Sequence, residues 1–180
     1  MGGVNETPSN AQVLSSIVAE VTPQLFEAYG TSVEHISATL QPDPSVAPEL
    51  AGVLGFVGDD LHGTVTLATS TAVMQGMMKD VPGADLLTDW LAELTNQLLG
   101  RIKNRLLRCG TSVMSSTPVV VTGQQLKVAM GEHSVNCCHT FRTGVGALHV
   151  WLGAEIAEGV EIREKGSIEP APGEGDLLLF

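Results

Sequence analysis

Two long stretches of the chain repeat apolar residues at helical spacing, and most of the remainder alternates apolar and polar positions as strands do. In the first stretch Val13, Leu14, Ile17, Val18, Val21 and Leu25 share one side; Ser9 or Asn10 can cap its start and Gly30 marks its end. Pro23 falls inside this pattern and should kink the helix or mark a boundary. Residues 31–40 then alternate, Pro42–Pro48 must be a loop, and 50–58 with 62–70 read as a hairpin turning at Gly58-Asp59-Asp60. A short Met-containing helix over Thr71–Lys79, closed by Pro82-Gly83, leads into a second long helix from about Ala84 to Arg108, with Gly110 as its stop signal. Strands are expected near 111–121, 133–142 and 145–153.

The order of helix, three strands, linking helix, helix and three strands is a repeat. It predicts an α+β fold of two pseudo-duplicated helix–three-strand halves, with a mainly antiparallel sheet packed by the two long helices. Residues 1–9 are expected to be a flexible N-terminus, 10–158 the domain, and 159–180 an acidic Gly- and Pro-containing extension that ends in Leu177-Leu178-Leu179-Phe180. A chain of 180 residues suffices for one domain with a sizeable core.

The second helix carries the candidate chemistry. At about 100° per residue, Asp89, Glu93, Asn96 and Gly100 fall within one narrow arc, while Leu87, Trp90, Leu91, Leu94, Leu98 and Ile102 occupy the opposite side. The apolar side anchors the helix, so the carboxylates, the carboxamide and the bare glycine must look outward. A solvated face usually mixes Lys and Glu with no glycine at its centre. Here Gly100 leaves a spot where a partner can approach, which suggests a docking surface with chemistry on it.

Composition narrows the rest. With 43% hydrophobic and 16% charged residues, general disorder is excluded. A net charge of −11 argues against nucleic-acid binding, which needs clustered Lys and Arg. The basic residues Arg101, Lys103, Arg105 and Arg108 sit at the end of the second helix and complement its C-terminal dipole; attraction of an acidic partner is the alternative. Three cysteines, Cys109, Cys137 and Cys138, make no disulfide framework and suit a reducing cytoplasm. Cys137, Cys138 and His139 are adjacent, but strand neighbours point to opposite faces and do not converge on an ion. The histidines show no zinc-hydrolase spacing, Ser112, Ser115 and Ser116 have no His at a telling distance, and no Walker-type sequence exists. No apolar run reaches membrane-spanning length and no signal pattern opens the chain, so a cytoplasmic protein without membrane contact is expected.

Asp89, Glu93, Asn96 and, after 21 intervening residues, Pro118 fill the pattern Asp/Ser-x3-Glu-x2-Asn-x21-Pro. In this the chain resembles the CheC/CheX/FliY family of chemotaxis phosphatases, and CheX-type members most. Gly55-Phe56-Val57-Gly58 and Gly63-Thr64-Val65-Thr66-Leu67 resemble the glycine-bounded hairpin before the active helix of such members, and the resemblance covers roughly residues 10–155. It implies hydrolysis of the aspartyl phosphate of a CheY-like response-regulator receiver, with Asn96 positioning the attacking water and Glu93 pairing with the receiver's lysine. Asp89 and Gly100 would line the docking surface. No cofactor is expected in this chain, because the receiver brings its own Mg²⁺. Pro118 is expected to shape an edge or bulge beside the helix and not to touch phosphate.

The family also holds noncatalytic members of the FliM and FliN kind, so a receiver-binding or flagellar-switch-like adaptor is the alternative. A homodimer is expected by the same resemblance, with the apolar strand at 145–153 as the candidate edge. In the first helix Ser16 and Glu20 echo Asp89 and Glu93, but Pro23 replaces the carboxamide, and Ser45 stands where the matching proline would be. One functional face is therefore expected.

Overall fold

The computed structural model describes residues 8–77 and 84–164. The first helix, α1 (Asn10–Ala28), begins at Ser9, whose hydroxyl accepts from the Gln12 backbone N–H at 3.3 Å while Gln12 Oε1 accepts from the Ser9 N–H at 2.7 Å. This reciprocal cap satisfies two otherwise orphaned donors. The helix runs through Pro23 without a boundary. Buried Val21, Thr22, Leu25 and Phe26 hold the turns around it onto the sheet, and that packing outweighs one missing backbone bond. At its end Gly30 adopts φ +71°, and the Thr31 N–H donates to the Phe26 carbonyl at 3.0 Å. The other long helix, α3 (Ala84–Arg108), ends in the same way, with Gly110 at φ +79° and Thr111 donating to Leu106 at 3.0 Å. A glycine suits both places because the left-handed conformation costs it nothing.

The strands are β1 (Glu34–Thr39), β2 (Leu50–Val57), β3 (Leu61–Thr69), β4 (Met114–Ser115), β5 (Val119–Thr122), β6 (Val135–Thr143) and β7 (Gly146–Ile156); a short α2 (Thr71–Met77) follows β3. They form one open sheet in the order β1-β6-β7-β3-β2-β4, with β5 also on β2 and every pair antiparallel. The α+β fold is as expected. The strand at 145–153 is not an edge, however: β7 lies between β6 and β3, so it has no free side to offer a second copy.

The strand expected at 111–121 is broken in two. Ser115 pairs with Phe56, but pairing resumes with Val119 opposite Val53, so the edge carries one residue more than its partner. Pro118 falls in this bulge, where no ladder donor is required. Ser116 bridges the break: its N–H donates to the Gly55 carbonyl at 2.9 Å, and its hydroxyl accepts from the Gly55 N–H at 3.1 Å.

Helices α1 and α3 cover one face of the sheet and bury the main core. On the other face Ala51, Ala68, Cys138 and Trp151 form a smaller core under Val46, Leu126, Val128 and Met130. The chain beyond β7 returns to α1. The Asn10 side chain donates to the Val160 carbonyl at 2.8 Å and accepts from the Ile162 N–H at 2.9 Å, and Ile162 is fully buried in the main core. The domain thus reaches past the boundary drawn at 158. Residues 1–7, the Pro82-Gly83 stop and the apolar end Leu177–Phe180 lie outside the described residues.

Candidate functional site

The outward face of α3 is built from the sheet upward. Leu91, Leu94, Leu98, Leu99 and Ile102 are fully buried and fix the helix's rotation. Between them Thr95 is also fully buried, its hydroxyl donating to the Leu91 carbonyl at 2.7 Å. Beneath it lies Gly52 of β2, where an added Cβ would collide with the Thr95 hydroxyl. This missing side chain lets α3 lie flush on the sheet at the turn that carries Asn96. Neither residue was singled out from the sequence; a glycine inside a strand pattern was the available signal for close backbone approach.

With the helix so fixed, Asp89, Glu93 and Asn96 are exposed, as the spacing requires. Gly100 is half-buried, and a Cβ there would meet nothing within 4 Å, so its surface is open. The Glu93 carboxylate accepts from the Gln97 carboxamide at 2.7 Å. Gln97 also escaped the sequence reading, although a residue four after Glu93 is its natural neighbour on a helix. To one side half-buried Trp90 meets Tyr29 edge-on, ring centroids 5.9 Å apart. Of the basic residues at the helix end, Arg105 is ion-paired with Glu20 of α1.

The two halves of the chain show which residues correspond. After the matching glycine ends, Val33 and Val113 are both buried, β1 starts at Glu34 and β4 at Met114, and both edges shift register by one residue. Asn96 stands fourteen residues before Gly110, and fourteen before Gly30 is Ser16. By the same count Val13 answers Glu93 and Ser9 answers Asp89, while the place of Pro118 falls to Ala38 on β1. The echo read as Ser16, Glu20 and Pro23, with Ser45, is therefore displaced by seven residues. The first half lacks the carboxylate, the carboxamide and the proline at the corresponding positions. Ser16 and Ala38 line one groove between α1 and β1, while the corresponding Asn96 lies on α3 and Pro118 immediately before β5.

Away from α3, Cys137 lies in the main core and Cys138 in the smaller one, on opposite faces of β6. Burial pushes the Cys137 thiol up to about 12 and the Cys138 thiol up to about 11, so neither is a ready nucleophile. His139 is 1% exposed, with Nε2 at 3.1 Å from the Ser15 hydroxyl and Nδ1 at 2.9 Å from His35 Nε2. Burial, with the neighbouring His35, lowers its pKa to about 4.

The family profile described as "Chemotaxis phosphatase CheX" matches residues 50–142, just over half of the chain. The chain belongs to the CheX family. The matched segment runs from β2 into β6, so it contains Asp89, Glu93, Asn96, Gly100 and Pro118 and leaves α1 outside. Among solved structures, a putative chemotaxis protein from Desulfovibrio vulgaris Hildenborough superposes with a TM-score of 0.71 at 19% identity, over 82% of this chain and all of that one. Chemotaxis protein CheX from Vibrio vulnificus gives 0.68 at 19% identity, over 79% and 97%. A chain of the CheX-CheY-BeF3-Mg+2 complex from Borrelia burgdorferi gives 0.61 at 12% identity, over 79% and 96%. These likenesses show a shared fold. A search of curated protein sequences gives no match. No helix among the described residues is long and apolar enough to cross a membrane.

Proposed function

We propose that this CheX-family chain hydrolyses the aspartyl phosphate of a CheY-like response-regulator receiver, and that the outward face of α3 does so. The supporting observation is that Glu93 and Asn96 stand exposed, side by side, on a helix locked to the sheet by Thr95 over Gly52. An exposed carboxamide has no useful pKa and an exposed carboxylate is a weak base at neutral pH, so alone they make a poor active site. They suffice if the reactive group arrives already activated. A phosphorylated receiver carries an acyl phosphate with its own Mg²⁺ and lysine, and its hydrolysis needs chiefly an aligned water.

On this reading the Asn96 amide accepts from and donates to that water and orients it in line with the phosphorus, which is catalysis by positioning. Glu93 pairs with the receiver's lysine in a charge-assisted bond that sets the depth of insertion. Asp89, one turn earlier, borders the contact, and the open surface at Gly100 admits the receiver's backbone. Both carbon–oxygen bonds of the aspartyl group stay intact: the water oxygen bonds phosphorus as the bond from phosphorus to the acyl oxygen breaks, and the water's protons pass to phosphate and solvent, giving free aspartate and inorganic phosphate. We also place the protein in the cytoplasm as a homodimer. Exposed Met114, Val119 and Val121 on the β4–β5 edge support that pairing in place of β7.

The test is the decay of a purified CheY receiver phosphorylated with acetyl phosphate, followed with and without the chain. Faster release of inorganic phosphate supports the reading. Tight binding with unchanged decay would favour the adaptor instead.

A further inference from the structure

Glu93 does not stand loose on its helix. Its Oε1 accepts from Gln97 Nε2 at 2.7 Å, and no cation among the described residues lies within ion-pair distance of it. The choice of glutamine is informative. A lysine or arginine four residues after a glutamate gives the stronger pair on a helix surface, but it neutralises the carboxylate. A carboxamide holds the same side chain through a neutral donor and leaves the full negative charge for another partner.

The same molecule contains a filled version of this device. On α1, Glu20 and Gln24 have the same spacing, with Gln24 Nε2 at 3.3 Å from Glu20 Oε1. That oxygen also accepts from the guanidinium of Arg105, which crosses from α3. A glutamine-held glutamate on an outward helix face therefore seats a cation delivered from another element. Glu93 with Gln97 is such a seat, with no cation in it among the described residues.

We infer that Gln97 is a positioning residue, which holds the Glu93 carboxylate in place to receive a cationic side chain from the docking partner. This rests on the reading of α3 as a receiver-binding surface and extends it by one residue. Ordering Glu93 before contact spares part of the side-chain entropy that docking would otherwise cost. Gln97 touches neither water nor phosphorus, so its removal should act on binding and leave the chemical step alone.

The experiment is a double-mutant cycle on receiver binding and turnover. Wild type, Gln97→Met, Glu93→Ala and the double variant are titrated with a purified CheY receiver carrying beryllofluoride, and their phosphatase kinetics are measured in parallel. Methionine keeps about the length and helix propensity of glutamine and removes its carboxamide, and with it the donor to Glu93. The expected result is a Kd and KM raised about 1.4- to 2.3-fold in Gln97→Met, as one lost hydrogen bond on a helix surface implies, with kcat unchanged. In the Glu93→Ala background the same substitution should change nothing. Equal affinity of wild type and Gln97→Met, or an equal loss in both backgrounds, would overturn the inference while leaving the receiver as partner. Failure of wild type itself to bind the receiver would overturn the functional reading and this inference together.

Discussion

At the scale of single residues, the proposed mechanism divides the work of Glu93 and Asn96 between charge and geometry. In it Glu93 supplies attraction, so its substitution should act on encounter and docking. Glu93→Lys puts like charge against the receiver's lysine and is expected to raise KM by at least about tenfold, more than Glu93→Gln does. The difference between the two should shrink as ionic strength rises, because screening weakens repulsion at an exposed site. Titrations of phosphorylated receiver at low and high salt measure this, and wild-type affinity in Glu93→Lys would remove the lysine pairing from the mechanism. These residues were legible in the sequence because a helix of known period fixes which side chains share a face. Gln97 lay in plain view at the same spacing; Thr95 did not, since a polar residue on the apolar side shows its use only once the Leu91 carbonyl and Gly52 are placed around it.

Elements raise a different question, namely how α3 is held so that its outward face is fixed. The contact of Thr95 on Gly52 is the tightest constraint at that turn. Gly52→Ala should push the helix away from β2 and destabilise the fold by about 1–3 kcal/mol, the usual cost of overpacking. Chemical denaturation measures the loss, and kcat should fall even at temperatures where the variant stays folded, since small displacements of a positioning group cost rate. By contrast Glu20→Ala removes a surface pair with half-buried Arg105 and the hydrogen bond from Gln24; stability should change by less than about 1 kcal/mol and phosphatase rate by less than about twofold. A large loss of rate in folded Glu20→Ala would show chemistry on α1. The misplaced echo on α1 has a physical cause. Seven residues turn a helix only about 20° short of two full turns, so a shift of seven leaves the apolar pattern intact. Glycine ends and edge register reveal the shift, and both depend on the assembled sheet. The break at Pro118 was foreseeable from its missing N–H, whereas the burial of β7 was not, because a run of apolar strand residues does not say which strands flank it.

For the whole molecule, the network of Ser15, His139 and His35 ties α1, β6 and β1 together across more than a hundred residues of sequence, beyond any local pattern. Its pH dependence follows from the lowered pKa of His139. The unfolded chain takes up a proton near pH 6.5, the folded one only near about 4, so acid favours the unfolded state between these values. His149, also lowered by burial, acts in the same direction. Stability should fall as pH drops from about 6.5 towards about 4, with a slope of at most about 1.4 kcal/mol per unit from His139. Urea midpoints across that range check this, and His139→Gln should flatten the slope. The proposed catalytic face lies on the other helix and uses none of these groups.

The claim on which the account depends is that Asn96 positions water and does little else. Its side chain is exposed, so Asn96→Ala should fold like wild type and bind the receiver about as well. The direct measurement is single-turnover loss of phosphate from a CheY receiver saturated with either protein. The account predicts that wild type accelerates the loss and that Asn96→Ala, bound to the same extent, leaves it at the receiver's own rate. Equal acceleration by both proteins would contradict it.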